Sequence, residues 1–282
     1  MSLAIIELEE KYLAEVIMTP RVKVNDVRIQ YETSGEGFPL VMINGLGLDL
    51  DNWDPRLVNE LSKQFKLILF DNRGAGRSDA SDKEYTIKLF ADDTAGLMKA
   101  LGVPKAHVLG LSMGGMVAQE LALKYPEKVS KLILCSTHNG GLDVIQPSQK
   151  VVKMLAAGVN VMSKDEWRRI FLPLMFTADF IEKNPDFVEI VAQRFFRHPI
   201  SREAYTRQLA AIQDFDAHDR LRRIKVPTLI LHGRKDVLIP PENGSILAAA
   251  IPKAKFVYFE NSAHVLAEEM REALRILTDF LT

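Results

Sequence analysis

The chain has 282 residues, of which 47% are hydrophobic and 26% charged, and its formal net charge at pH 7 is −1. This length can bury one large core, or a core with an insertion, and the composition is that of a soluble globular protein. A charge so close to zero provides no electrostatic drive toward nucleic acid or an anionic membrane, so we expect neither as a partner.

Cysteine content and the lack of targeting patterns indicate where the protein works. Cys135 is the one cysteine, so no internal disulfide can form and a reducing compartment is the default. The amino terminus is rich in glutamate, unlike a secretion signal, and no apolar run is long enough to cross a bilayer. We therefore expect a cytoplasmic protein, a monomer or homodimer, whose partner is a small molecule.

Strands alternate with helices from residue 21 to residue 139, after a weakly patterned stretch (1–20) that we expect to be an N-terminal appendage. The pattern predicts a hairpin over 22–33, strands over 39–43, 66–70, 106–111 and 131–135, and helices starting at Asp54-Pro55 and covering 86–101 and 113–124. Phe65 is assigned to the apolar face of the first of these helices. Regular alternation of this kind predicts a parallel sheet with right-handed crossovers.

Residues 140–218 break the alternation, because they contain helix-start signals and no strand pattern. The signals are Pro147, Asn184-Pro185, Ser201, and Ser163 followed three residues later by Glu166 as a capping box. The segment is rich in methionine and aromatic residues, which usually form core. Since it follows the carboxyl end of a strand, where open α/β sheets bind ligands, we predict a helical cap (lid) over a site.

The alternation resumes over 219–282. Strands are predicted over 227–231 and 255–259, a helix over 241–250, and a final amphipathic helix that includes Leu266. The predicted fold class is α/β, with a mostly parallel central sheet flanked by helices. Its core comprises 21–139 and 219–282, and 140–218 form the inserted cap.

The stretch around Ser112 has the pattern of a nucleophile elbow. A buried strand leads directly into a helix, so the chain must turn sharply at Ser112. Gly110 and Gly114 stand where side chains would collide with neighbouring backbone, which is the logic of G-x-S-x-G. A dinucleotide-binding loop would need glycine in place of Ser112. An ordinary glycine-rich turn is the remaining alternative, because such short motifs also arise by chance.

A serine nucleophile needs a base, and the base needs an orienting acid. If the strands are parallel, their carboxyl ends share one edge of the sheet, and both Asp236 and His264 follow strands at that edge. They also occur in the chain order Ser, Asp, His. We therefore assign Ser112, His264 and Asp236 to the three roles. The rival acids near strand ends or close to His264 in sequence are Asp71, Asp143 and Glu260.

Three further histidines near predicted strands have other expected roles. His107 begins a strand at the opposite edge, and His232 is expected to make a structural hydrogen bond. His138 follows a strand end and is expected to line the substrate pocket, for which we also name Trp167, Phe171 and Val237.

Stabilisation of an oxyanion requires two backbone amides, and each contributes roughly 3 to 4 kcal/mol of transition-state stabilisation. Met113 supplies one by its position after Ser112, and Leu46, between Gly45 and Gly47 after the 39–43 strand, is expected to supply the other. A simple glycine turn is the alternative at Leu46. No H-E-x-x-H or paired-cysteine pattern is present, so we expect no metal and no cofactor.

Together these motifs resemble the α/β-hydrolase superfamily over nearly the whole chain. The motifs are Asn44-Gly45-Leu46-Gly47, the loop over 70–79, Gly110-Leu111-Ser112-Met113-Gly114-Gly115, Gly233-Arg234-Lys235-Asp236 and Ala263-His264. The chain looks most like the branch of carboxylesterases, 3-oxoadipate enol-lactone hydrolases and carbon–carbon bond hydrolases. It departs from many members, which have His-Gly where this chain has Asn44-Gly45. Enol-lactonases share that asparagine but follow it with serine.

The resemblance implies a metal-free serine hydrolase. The apolar cap suggests esters or lactones of small to medium, largely apolar acyl groups, cleaved through an acyl-enzyme. One alternative is a carbon–carbon bond hydrolase of ring-cleavage diketones, in which Arg168, Arg169 or Arg194 of the cap would bind a carboxylate. The other is a non-catalytic ligand receptor on the same fold.

Overall fold

The computed structural model describes residues 20–158 and 163–282. The N-terminal appendage expected over 1–20 therefore lies, apart from its last residue, outside the described residues. No helix in the described part is long and apolar enough to cross a membrane.

A sheet of eight strands organises the described part of the chain. The strands are β1 (Arg21–Val24), β2 (Val27–Ser34), β3 (Phe38–Ile43), β4 (Phe65–Phe70), β5 (Ala106–Leu111), β6 (Val129–Cys135), β7 (Thr228–Gly233) and β8 (Lys255–Phe259). Their order is β1-β2-β4-β3-β5-β6-β7-β8. The pairs β1–β2 and β2–β4 are antiparallel and all others are parallel. The predicted fold class, an α/β fold with a mostly parallel sheet, is confirmed.

Eleven helices of four or more residues occur in the described residues. They are α1 (Pro55–Leu61), α2 (Ile87–Ala100), α3 (Met113–Lys124), α4 (Gln149–Ala157), α5 (Lys164–Ile170), α6 (Leu172–Met175), α7 (Ala178–Lys183), α8 (Pro185–Phe195), α9 (Arg202–Gln213), α10 (Glu242–Ala250) and α11 (Met270–Leu281). The described residues also contain four short 3₁₀ segments: Leu50–Asn52, Pro126–Lys128, His218–Arg223 and Ala267–Glu269.

Helices cover both faces of the sheet, and β3 shows why. Leu40 and Met42 pack into one apolar cluster with residues of α1 and α11, whereas Val41 and Ile43 pack into another with residues of α2 and α3. Alternate residues of a strand point to opposite faces, so a strand buried on both sides must be apolar throughout. This burial holds the parallel strands in register, and their carboxyl ends share one edge.

The described residues between β6 and β7 contain helices and no strand, apart from an isolated bridge between Gly140 and Asp216. These helices, α4 to α9, build a third apolar cluster, and Leu238 and Ala267 from outside 140–218 join it. The helical segment therefore packs against the carboxyl edge of the sheet. The capping box at Ser163 and Glu166 is present.

Several expected boundaries were wrong, and tertiary contacts explain them. Phe65 begins β4 instead of lying on α1, because it pairs with Phe38 of β3. Leu266 precedes the last helix: its φ of 57° is left-handed and cannot continue a helix. Next to it, Glu268 and Glu269 accept hydrogen bonds from amides of the loop over 261–263.

Candidate active site

Ser112 occupies a strained turn between β5 and α3. Its backbone angles are φ 57° and ψ −120°, which few residues other than glycine adopt. A Cβ on Gly110 would lie 2.2 Å from the carbonyl oxygen of Gly114, and one on Gly114 would lie 2.0 Å from that of Ile43. Both positions therefore exclude a side chain, as the motif predicts.

Hydrogen bonds from the neighbouring strand hold this turn. The amide of Ser112 donates to the carbonyl of Cys135 at 2.9 Å. The hydroxyl of Thr137 donates to the carbonyl of Ser112 at 2.7 Å. Since both backbone groups of Ser112 are engaged, the end of β6 fixes where its side chain emerges.

His264 and Asp236 form a buried pair. Nδ1 of His264 lies 2.7 Å from Oδ2 of Asp236, and Oδ1 of Asp236 accepts the amides of Leu238 and Ile239 at 2.9 Å each. Burial alone would raise the pKa of Asp236. The charge of His264, together with hydrogen bonds from His232 and His264, outweighs burial and lowers that pKa to about 2. An ionised carboxylate only accepts hydrogen bonds, so when the imidazole is neutral its proton is on Nδ1 and Nε2 is left as an acceptor.

Ser112 and His264 line the same cavity of about 140 Å³. Two residues that are 152 positions apart in sequence are thus brought to one edge of the sheet. The cavity wall is mostly apolar, with Leu46, Met116 and Phe171 among its lining residues. A hydroxyl, an imidazole and a buried carboxylate arranged in this way can perform nucleophilic catalysis with proton transfer.

The loop containing Leu46 reaches the nucleophile. A Cβ on Gly45 would lie 3.7 Å from Oγ of Ser112, so the backbone there is close to the hydroxyl. Asn44 holds the loop, because its Nδ2 donates to the carbonyl of Asp49 at 2.7 Å and its Oδ1 accepts the amide of Gly45 at 2.9 Å. Met113 is the first residue of α3, where helix amides favour negative charge.

Sequence reasoning missed Gln208, a buried residue of α9 that braces this loop. Its Oε1 accepts the amide of Gly47 at 2.9 Å, and its Nε2 donates to the carbonyl of Arg73 at 3.0 Å. Gln208 thereby joins the helical segment to two loops at the edge of the sheet. The available signal was a polar residue on the buried face of α9, in line with Ala204 and Ala211.

The four residues expected to line the substrate pocket lie in different places. His138 and Phe171 line the cavity of Ser112. Trp167 lines a second, apolar cavity of about 120 Å³. Val237 is half exposed and lines neither cavity. The amides of the next two residues, Leu238 and Ile239, donate inward to Asp236, and this brings the side chain of Leu238 to the wall of the Ser112 cavity instead. The two cavities share Leu48, Leu111, Phe171 and Met175.

The rival acids have other partners. Asp71 accepts the amides of Leu50 and Arg77 at 2.7 Å each and so braces its own loop, as expected. Asp143 pairs with His218 at 3.1 Å, and Glu260 pairs with Arg234 at 3.1 Å.

The remaining histidines and the cap arginines also have defined places. His107 packs against Phe38 at the opposite edge, and Nε2 of His232 lies 2.9 Å from the carbonyl of Ile239, the expected structural contact. Arg168 pairs with Glu189. Among the cap arginines named above, Arg169 is exposed and Arg194 lines the second cavity. None of the three lines the cavity of Ser112.

No group of three or more histidine, cysteine, aspartate or glutamate side chains in the described residues is arranged to hold a metal ion.

Comparisons with known proteins give a consistent result. The sequence model of a family described as alpha/beta hydrolase fold matches residues 39–269. The chain is 28% identical over 251 residues, 88% of this chain and 92% of the relative, to "Putative carbamate hydrolase RutD" of Azorhizobium caulinodans. It is 28% identical over 286 residues, 98% of each chain, to 2-hydroxy-6-oxo-6-phenylhexa-2,4-dienoate hydrolase of Burkholderia cepacia. The crystal structure of the enol-lactonase from Burkholderia xenovorans LB400 is 31% identical, with a TM-score of 0.82, covering 93% of this chain and 99% of that one.

Proposed function

Because the chain belongs to the alpha/beta hydrolase fold family, we propose that it is a serine hydrolase that cleaves carboxylic esters or lactones through an acyl-enzyme. The observation that carries the proposal is the buried pair of His264 and Asp236 at the cavity that Ser112 also lines. A hydroxyl and an imidazole at one cavity, with the imidazole oriented by an ionised acid, are the minimum machinery for this chemistry.

In the proposed mechanism, Oγ of Ser112 attacks the substrate carbonyl while Nε2 of His264 accepts the hydroxyl proton. Asp236 holds the imidazole in orientation and stabilises its charged form. The amides of Met113 and Leu46 donate to the developing oxyanion, each worth roughly 3 to 4 kcal/mol. His264 then protonates the leaving group, and a water molecule activated by the same imidazole releases the acid.

The apolar wall of the cavity and its size support small to medium, largely apolar acyl groups. An apolar acyl group that enters this cavity of about 140 Å³ is bound because its surface, and that of the apolar side chains lining the cavity, is removed from water. The second cavity shares part of its wall with the first and offers room for a longer chain. The enol-lactonase structure from Burkholderia xenovorans LB400 is a relative whose name refers to a lactone.

A carbon–carbon bond hydrolase is the second candidate, because the relative from Burkholderia cepacia carries the name of a dienoate hydrolase and matches over 98% of the chain. That chemistry would use the same three side chains and would favour a cation facing a substrate carboxylate. Arg194 lines the neighbouring cavity, with Nη1 3.3 Å from the carbonyl of Trp53. A ring-cleavage dione tested beside esters distinguishes the two activities.

The test is turnover of a panel of 4-nitrophenyl esters and lactones by the native protein and by Ser112→Ala. We expect turnover of several members of the panel, and its loss in the variant. Ser62→Ala, which removes a half-exposed hydroxyl that donates to the carbonyl of Asn59, is the matched control and should keep full activity. Binding without turnover by the native protein would favour a ligand receptor and contradict the proposal.

A further inference from the structure

His138 lies on the wall of the Ser112 cavity, in the loop that follows β6. Its carbonyl accepts a hydrogen bond from Nε2 of Gln119 at 3.0 Å. The residue before it, Thr137, donates its hydroxyl to the carbonyl of Ser112 at 2.7 Å. The imidazole is therefore carried by a segment tied directly to the nucleophile elbow, and its place relative to Ser112 is fixed.

The amide of Gly140 determines which nitrogen of this ring carries the proton. It donates to Nδ1 of His138 at 3.0 Å. A backbone amide can only donate, so Nδ1 holds a lone pair and the proton of the neutral ring is on Nε2. Burial, with a contribution from His232, lowers the pKa of His138 to about 4. The ring is thus an uncharged donor with one tautomer at neutral pH.

This donor has no acceptor from the protein within the described residues, although the ring's other nitrogen is engaged. The surrounding wall is largely apolar, and the hydroxyl of Tyr205 in it is already engaged, because it donates to the carbonyl of Leu155 at 3.0 Å. His138 is half-buried, so water in the open cavity serves this donor in the free protein. A ligand that displaces this water binds more tightly if it accepts from the donor in its place.

We propose that His138 is a specificity-determining residue, whose Nε2–H binds a second, uncharged oxygen of the substrate, separate from the carbonyl that Ser112 attacks. The inference rests on the proposed function and narrows its substrate class to esters or lactones that also carry a ketone, ester or ether oxygen. A carboxylate fits this position poorly, because a neutral imidazole does not compensate the loss of its hydration.

The size of the effect follows from the donor that an all-carbon ligand would leave without an acceptor. An all-carbon substrate would displace water from His138 and offer no acceptor in return, whereas an oxygen at the matching position would restore the bond. We expect a preference of about tenfold for the oxygen-containing ligand.

The experiment measures binding to Ser112→Ala, which leaves esters intact. Methyl hexanoate is compared by titration calorimetry with analogues in which an ether oxygen replaces one methylene at successive positions of the acyl chain. One analogue should bind about tenfold more tightly than methyl hexanoate. Adding His138→Phe should abolish the preference, because the ether oxygen then has no donor to accept from, while His138→Gln, which keeps a donor, should retain part of it.

The inference is overturned if no analogue is preferred, or if the preference survives His138→Phe. Thermal midpoints of the variants show whether loss of the Nδ1 contact with Gly140 has disturbed the fold. Failure of the proposed function would give a different result. In that case the native protein would bind these ligands with the expected preference but would hydrolyse none of them.

Discussion

Asp236→Asn should abolish activity by inverting the tautomer of His264. Oδ1 of Asp236 accepts two backbone amides, from Leu238 and Ile239, so an asparagine must keep its own oxygen there. Its NH₂ group then takes the place of Oδ2, 2.7 Å from Nδ1 of His264. Because NH₂ donates, Nδ1 must become the acceptor and the ring proton moves to Nε2, which can no longer accept the proton of Ser112.

The expected loss is about 10⁴-fold in kcat, the scale seen when a triad histidine is forced into the wrong tautomer, or about 5.5 kcal/mol of transition-state stabilisation. The assay is steady-state hydrolysis of a 4-nitrophenyl ester, with a thermal midpoint to establish folding. Asp143→Asn is the matched control, since Asp143 pairs with His218 at the surface, and it should keep full activity. A folded Asp236→Asn protein with more than a tenth of the native kcat would refute the reasoning.

Three further changes test other parts of the structure. Burial, with the neighbouring carboxylates Asp71 and Asp51, raises the pKa of Asp49 from 3.8 to about 7. Because the folded protein binds this proton more tightly than the unfolded chain does, the free energy of unfolding falls as the pH rises from 3.8 to 7, by at most about 4 kcal/mol. Asp49→Asn should therefore gain stability over the native protein between pH 4 and pH 8 in urea unfolding, and an equal difference at both pH values would contradict this. Gln208→Leu should lower kcat about tenfold with little change in KM, because the loop that presents the Leu46 amide loses its anchor; an effect confined to KM would argue against that role. Gly114→Ala should fail to fold stably, because its Cβ would lie 2.0 Å from a backbone oxygen, and a soluble variant with a native thermal midpoint would contradict the elbow geometry.

The sequence predicted the sheet well because its signals are local and strong. The strand over Ala106–Leu111 and the helix over Met113–Lys124 have the expected bounds, since a continuous apolar run and a glycine-flanked turn leave few alternatives. The placement of Asp236 and His264 followed from topology: parallel strands end at one edge, and their loops meet there. Their catalytic roles stay predictions until activity is measured.

Tertiary contacts decided the features that sequence reasoning missed. Leu266 fits the apolar pattern of the last helix, but its left-handed φ of 57° is incompatible with an α-helix, so the helix begins after it. Val237 and Leu238 are equally apolar, and only the hydrogen bonds to Asp236 determine which of them faces the cavity. Gln208 acts through two backbone groups more than a hundred residues away. The ranges 1–20, 21–139, 140–218 and 219–282 stay predictions as domain boundaries.

The central claim is that Ser112 is the nucleophile, and covalent trapping tests it most directly. The native protein would be treated with a fluorophosphonate, digested and examined by mass spectrometry. The account predicts one adduct, on the peptide that contains Ser112, and its strong reduction in the Asp236→Asn protein. A protein that hydrolyses esters yet carries the adduct on another residue, or carries none, would contradict it.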